Sequence, residues 1–156
     1  MSEIETVGLG KYWQELTPGR RFKTVGRTIT ETDLVNFISN TGMVEVIFTN
    51  INEAAIKGGR LVPGALIFSL AEGLLVQGML QTVGFAFLNM ELDIKGPTFV
   101  GDTIHVISEV TESRASKGKP GLGVVRTRNE VVKQDGSVVL VYTPLRLLKG
   151  NDFESG

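Results

Sequence analysis

LVPGALIFSLAEGLLVQGML, residues 61–80, is apolar on nearly every side. Read as a helix it has no obvious solvent face, which is the mark of an element enclosed by the rest of a fold. Pro63 falls where a first-turn proline is tolerated, because its missing N–H would have had no helical partner. Ala65, Ser69 and Gly73 recur every four residues and predict one narrow stripe of small side chains. A single carboxylate, Glu72, adjoins that stripe. The length would barely span a membrane of ~20 residues. Glu72, Gln77, Pro63 and three glycines inside the run argue against it, because a central carboxylate costs ~3 kcal/mol or more in lipid. The segment reads as a buried core helix.

The bulk properties fit an ordinary globular domain. Of 156 residues, 42% are hydrophobic and 21% charged, so the chain can bury a substantial core. The net charge is −1, without a run of like charges, and a concentrated basic face for nucleic acid is missing. With no cysteine, disulfides, thiolate metal sites and cysteine nucleophiles are excluded, and one histidine rules out a multi-histidine metal site. The opening MSEIETVGLGKYW lacks the basic stretch and apolar run of a secretory signal, so a cytoplasmic protein is expected. One domain over 1–150 with a short trailing tail at 151–156 is the expected organisation.

On the N-terminal side of the apolar run, residues 1–15 read as a surface arm anchored by Tyr12 and Trp13. A turn at Thr17-Pro18-Gly19 precedes a strand over 21–30. Thr30 and Asp33 form a capping-box pattern before a short helix that ends near Thr41-Gly42. Residues 43–52 read as a strand or a structured loop, and 53–57 as one helical turn. On the C-terminal side, strands are predicted over 85–94, 102–113, 122–133 and 137–148. Asp135-Gly136 between two Val-rich alternating runs is the strongest hairpin signal. A helix apolar all round needs cover, and a curved antiparallel sheet supplies it. The expected class is α+β with hot-dog architecture, and the open sheet edge predicts a homodimer.

Three stretches carry a resemblance: GGRLVPGALIFSL (58–70), GPTFVGDTIHV (96–106) and SKGKPGLGVVRTRNEVVKQDG (116–136). Over residues 13–148 the chain resembles the MaoC-like hydratase/dehydratase family of hot-dog enzymes. The resemblance implies action on acyl-CoA or acyl-carrier thioesters, adding water to a trans-2-enoyl group to give the (R)-3-hydroxyacyl form, or the reverse. It implies dimers with active sites near the interface, and no cofactor beyond the coenzyme A of the substrate. The family's catalytic loop has the form Gly-Asp-x-Asn-Pro-(Ile/Leu)-His, and residues 42–48, Gly-Met-Val-Glu-Val-Ile-Phe, align with it. Met43 stands in the Asp position and Phe48 in the His position, and neither can move a proton. Pro63-Gly64 replaces the usual His-Gly at the helix start.

Several residues are candidates to replace that pair. Glu72 among apolar side chains suits general acid/base work, or else is a structural carboxylate bonded to Ser69, Asn40 or an arginine. Glu45 lies in the loop that is catalytic in relatives, or is a solvated loop carboxylate. Gly64, in the first turn of a helix, offers an N–H that would polarise a thioester carbonyl, or simply permits tight packing. Asn40, Asn50 and Asn52 could orient water or substrate, and His105 sits on an alternating strand as an ordinary face residue. Arg60, Arg114, Lys117 and Lys119 are candidates for the phosphates of coenzyme A, or surface charges. Three functions follow: a hydratase or dehydratase with a rebuilt site, a subunit without catalysis that binds acyl thioesters, and a hot-dog thioesterase using Glu72.

Overall fold

The structure is a computed structural model, and it describes residues 1–53 and 56–156. A 3-10 turn, Trp13–Glu15, leads into two short strands, β1 (Arg21–Lys23) and β2 (Arg27–Thr28). Helix α1 (Glu31–Thr41) starts on a complete capping box. The Thr30 hydroxyl accepts from the Asp33 N–H at 3.1 Å, and the Asp33 carboxylate accepts from the Thr30 N–H at 2.8 Å. Gly42 ends it in the left-handed conformation at φ 77°. A four-residue helix, α2 (Val46–Thr49), occupies the loop that sequence reading left between strand and loop. The helical turn expected over 53–57 lies partly outside the described residues.

The central helix is shorter than the apolar run. Helix α3 (Gly64–Leu75) is followed by a π-helical turn, Val76–Leu80. Leu66, Ile67, Leu70, Ala71, Leu74 and Leu75 are buried, so two rows of aliphatic side chains face the sheet. The expectation of a helix enclosed on all sides is corrected within the chain. Ala65 and Ser69 are exposed and Gly73 is half-buried, because this narrow stripe lies opposite the core-facing rows. Ser69 turns its hydroxyl inward to the Ala65 carbonyl at 2.8 Å.

One eight-stranded antiparallel sheet covers the aliphatic rows of α3. The single strand expected over 85–94 is two: β3 (Gly84–Asn89) and β4 (Leu92–Ile94). Strand β5 (Thr103–Ala115) pairs along its length with β6 (Leu122–Lys133), with a bulge between Val110 and Glu112. The run expected over 137–148 also divides, into β7 (Val138–Tyr142) and β8 (Leu145–Lys149). Pro144 lacks an N–H for the ladder, and the chain breaks there. β6 consequently pairs with β7 near its C-terminal end and with β8 near its N-terminal end. β4 borders β7, and β3 borders β8. The hairpin at Asp135-Gly136 forms as the sequence indicates, with Gly136 at φ 85°.

The core joins Leu66, Ile67, Leu70 and Leu74 of α3 to Ile104, Val106, Val125, Val131, Leu140 and Tyr142 of the sheet. Trp13 seats its indole on Gly123, where a Cβ would collide with the ring. Gly150 lies under the same indole, 2.7 Å from its Nε1 by the position a Cβ would take. The tail expected to trail free is held as far as Phe153, whose ring lies 6.1 Å from that of Phe85. Among the described residues no helix is long and apolar enough to cross a membrane.

Candidate functional site

Pro63 is the N-cap of α3, with extended backbone (φ −60°, ψ 141°), and Gly64 is the first helical residue. The carbonyl of Pro63 accepts from Leu66 and Ile67 at 3.0 and 3.2 Å. Among the described residues the N–H groups of Gly64 and Ala65 have no protein acceptor. They are the orphan donors every helix start carries, and with the helix dipole they favour a partial negative charge. Gly64 is required by close packing as well. A Cβ there would lie 2.7 Å from Ile94 Cδ1.

A cavity of about 380 Å³ opens in front of this helix start. Its walls come from Phe48, Leu61, Pro63, Ile67, Ile94 and Leu140, so its surface is largely hydrocarbon. The chain crosses the rim at residues 95–98, where the N–H groups of Lys95 and Gly96 are tied to the Val139 carbonyl at 2.8 and 3.3 Å. Among the described lining residues Lys95 carries the one titratable side chain. An apolar recess with unpaired N–H groups at its head is the arrangement that receives a carbonyl compound with a hydrocarbon body.

The structure separates the other expected residues from one another. Glu45 is the N-cap of α2, exposed, and lines a shallow depression with Met43, Val44 and Phe48. Phe48 also lines the main cavity, so that depression and the cavity share a wall. Asn40 is exposed on α1, and Asn50 is engaged locally, its side chain accepting from the Asn52 N–H at 3.1 Å. Arg60 pairs with Glu31 at 3.2 Å. Arg114 pairs with Glu112 at 3.0 Å, and Lys119 lies over the Phe85 ring at 5.3 Å. Arg114 and Lys117 belong to the far end of β5 and the turn beyond it. Among the described residues neither Arg114 nor Lys117 lines the cavity. Within one chain they do not join Gly64. His105 is on the face of β5 away from α3, and burial and then the charge of Lys23 hold its imidazole below its ordinary range.

Glu72 is not in the cavity, and its setting is not the apolar one expected. Arg146 of β8 meets it in a two-armed contact, Nη1 to Oε2 at 2.8 Å and Nη2 to Oε1 at 2.5 Å. The Tyr142 hydroxyl donates to the same carboxylate at 2.7 Å. This is the structural alternative with an arginine, realised by a residue 74 positions away. Burial, and then the neighbouring carboxylate, push the Tyr142 phenol far above its ordinary range, so it stays a neutral donor. Its ring stands edge-on to Phe68 at 5.2 Å, and the Arg146 guanidinium lies over Phe87 at 5.0 Å. Beside Tyr142 in the sheet is Asn129, fully buried, with neither its amide nitrogen nor its oxygen hydrogen-bonded among the described residues.

Sequence reading missed Tyr142, Arg146 and Asn129. The available signal was alternation. Counting in twos from Val125 puts Thr127, Asn129 and Val131 on one face, and the register puts Tyr142 and Arg146 beside that face.

The fold is that of a hot-dog protein: an antiparallel sheet curved around one central helix. No protein-family model matches the chain. Protein MaoC of Klebsiella aerogenes is 34% identical over 100 residues, covering 62% of this chain and 29% of that protein. A beta-methylmalyl-CoA dehydratase of Chloroflexus aurantiacus is 28% identical over 130 residues, covering 81% of this chain and 36% of that enzyme. The chain thus spans about a third of the length of the curated relatives it matches. Among solved structures, a monoamine oxidase regulatory protein from Archaeoglobus is 27% identical, with a TM-score of 0.79 over 92% of this chain and 97% of that one. A putative MaoC domain dehydratase from Chloroflexus aurantiacus reaches a TM-score of 0.87 at 22% identity, over 98% of this chain and 44% of that one. A Mycobacterium tuberculosis protein described as a double hotdog fold has a TM-score of 0.74 at 23% identity, over 97% of this chain and 48% of that one. In sequence and in fold the chain is similar to MaoC-like hot-dog proteins.

Proposed function

We propose that the protein takes up an acyl thioester in the cavity before α3 and acts on it as a hydratase or dehydratase. The observation that carries this reading is the pair of unpaired N–H groups, Gly64 and Ala65, at the head of a hydrocarbon-walled recess. A thioester carbonyl there would be polarised in the manner of an oxyanion hole, a contribution of ~3–4 kcal/mol to a transition state in which that oxygen gains enolate charge. Coenzyme A or an acyl carrier would bear the acyl group, and no other cofactor is required. Glu45 is the group proposed for proton transfer, since its loop contributes Phe48 to the cavity wall. The exposed apolar side chains of the β3–β4 edge, Phe85, Phe87, Leu88 and Ile94, support a homodimer joined along that edge.

A second reading is favoured by one observation: among the described residues the cavity wall holds no Asp, Glu or His. On that reading the chain binds acyl thioesters without turning them over, and a partner subunit supplies the acid/base pair. A thioesterase has less support, because Glu72 is committed to Arg146 and Tyr142. Mass spectrometry of trans-2-enoyl-CoA incubated with the pure protein separates these. Gain of one water with the thioester intact, slowed at least ~100-fold by Glu45→Gln, is the expected outcome for a general base. Binding without conversion selects the second reading, and neither binding nor conversion overturns both. Light scattering that gives a monomer would remove the homodimer.

A further inference from the structure

The segment that leads into α3 is held by a turn built on one carboxylate. Residues 60–62 run antiparallel to residues 98–100, bridged at Leu61 and Phe99. The Val62 N–H donates to the Thr98 carbonyl and the Val100 N–H to the Arg60 carbonyl, both at 2.9 Å. Gly64 follows Val62 by two residues, so the helix start lies within about 7 Å of this ladder. Leu61, Val62, Gly64 and Thr98 all line the cavity. A two-stranded ladder this short is marginal by itself. Asp102 supplies the rest: its Oδ2 accepts from the Phe99 N–H at 2.8 Å, and its own N–H donates to the Phe99 carbonyl at 3.0 Å. From the end of β6, Lys133 Nζ lies 2.9 Å from Oδ2 and Gln134 Nε2 donates to Oδ1 at 2.8 Å. The Asp102 and Lys133 side chains are only 13% and 12% exposed. The Lys133 ammonium lies 5.8 Å from the centre of the Phe99 ring, and a Cβ at Gly58 would come within 2.7 Å of the same ring.

We propose that Asp102 is a positioning residue for the cavity: by fixing the Phe99 N–H it sets residues 98–100, and through them the place of Gly64 at the cavity head. The inference rests on the reading that the unpaired N–H groups of Gly64 and Ala65 receive a thioester carbonyl. Asp102 is not among the described residues that line the cavity, so it acts through the backbone rather than on the ligand. The path is short. It runs from the carboxylate to Phe99, across the ladder to Val62, and on through Pro63 to Gly64. Three donors converge on the carboxylate: the Phe99 N–H, the Lys133 ammonium and the Gln134 amide. Asp102→Asn leaves one acceptor oxygen for these three and turns an NH2 group against the others, so the turn has to open. A hydrogen bond weakens steeply as its angle closes, so a small displacement of the helix start costs the carbonyl contact much of its strength.

Position and binding can be read separately. In heteronuclear NMR spectra of the full chain, isotope-labelled at glycine and free of ligand, Asp102→Asn is expected to shift the Gly64 amide signal. Gly123→Ala, which loosens the Trp13 seat instead, is expected to leave that signal in place. Calorimetric titration with butyryl-CoA, a saturated ester that hydration does not consume, is expected to show affinity lowered about tenfold by Asp102→Asn and unchanged by Gly123→Ala. An unmoved Gly64 signal in Asp102→Asn overturns the proposal, and so does an equal shift in both variants. A shifted signal with unchanged binding overturns it too, while leaving the thioester reading intact. If the unmodified protein binds no butyryl-CoA, the thioester reading fails, and the Gly64 signal alone decides whether Asp102 places the helix start. Should Asp102→Asn not fold, Gln134→Ala at its exposed site removes one of the three donors and is held to the same comparisons.

Discussion

Replacing Arg146 by leucine isolates what the buried cluster contributes. The guanidinium makes both contacts to Glu72, at 2.8 and 2.5 Å, and the side chains of the two residues are only 11% and 18% exposed. Without it Glu72 keeps one hydrogen bond, from Tyr142, and has little water to replace the rest. Breaking a buried pair from one side costs about 3–5 kcal/mol, and the residual solvation of Glu72 points to the lower end. Loss of the contact between Arg146 and the Phe87 face adds roughly 0.5–1 kcal/mol. At a few degrees per kcal/mol for a domain of this size, Tm should fall by roughly 6–12 °C. Adding Glu72→Leu removes the stranded charge but leaves the Tyr142 hydroxyl without an acceptor, at a cost of about 1–3 kcal/mol. Tyr142→Phe removes that too, so the triple variant should return to within about 1–2 kcal/mol of the parent. Urea unfolding at fixed protein concentration, followed by circular dichroism, measures all three. If Arg146→Leu lies within about 1 kcal/mol of the parent, or the triple variant is less stable than the single one, the cluster is not the closed, desolvated unit described here.

Two further outcomes follow from the packing and the charges. Gly123→Ala drives a methyl group into the indole of Trp13, so a loss of about 1–3 kcal/mol is expected. Trp13 is the one tryptophan in the chain, so its fluorescence should shift to the red in the same variant; an unchanged spectrum would refute the contact. Burial tends to raise the Asp102 carboxyl, but donors from Gln134 and the Phe99 N–H and the charge of Lys133 outweigh it and hold the group below its ordinary 3.8. Its stabilising contribution is then complete above that value and lost as pH falls through the lower folded value. The stability gap between the parent and Asp102→Asn should be about 1–2 kcal/mol near neutrality and should shrink in acid. A gap independent of pH down to the acid limb would contradict the assignment.

The parts of this molecule that were legible in the sequence are those set by local chemistry. The capping box at Thr30 and Asp33, the Asp135-Gly136 turn and the full extent of β6 are each written in neighbouring residues. The divisions of 85–94 and 137–148 into paired strands were harder to see, because each run is continuous in β-forming residues apart from Pro144 and Met90-Glu91. The solvent-facing stripe of α3 was hidden for a related reason. Ala and Gly are apolar by type, and only the placement of the sheet reveals which side of the helix is covered. Gly64 could be singled out from its position after Pro63. The fate of Glu72 could not, since both its partners lie about 70 residues away, and their meeting depends on the register of β6 with β7 and β8.

The seat of Trp13 bears on the order in which the molecule assembles. Its indole rests on Gly123 and beside Gly150, and Gln14 donates to Asn151 Oδ1 at 3.1 Å. Each contact spans more than a hundred residues of intervening chain. By contrast, β5 with β6 and β6 with β7 join through short turns. Closing the longest loops is entropically the most demanding step and gains least until the strands between are in place. Trp13 is therefore a late reporter. During refolding its emission should move to the native position only after the sheet signal has formed, which makes one natural side chain a clock for the final closure of the fold.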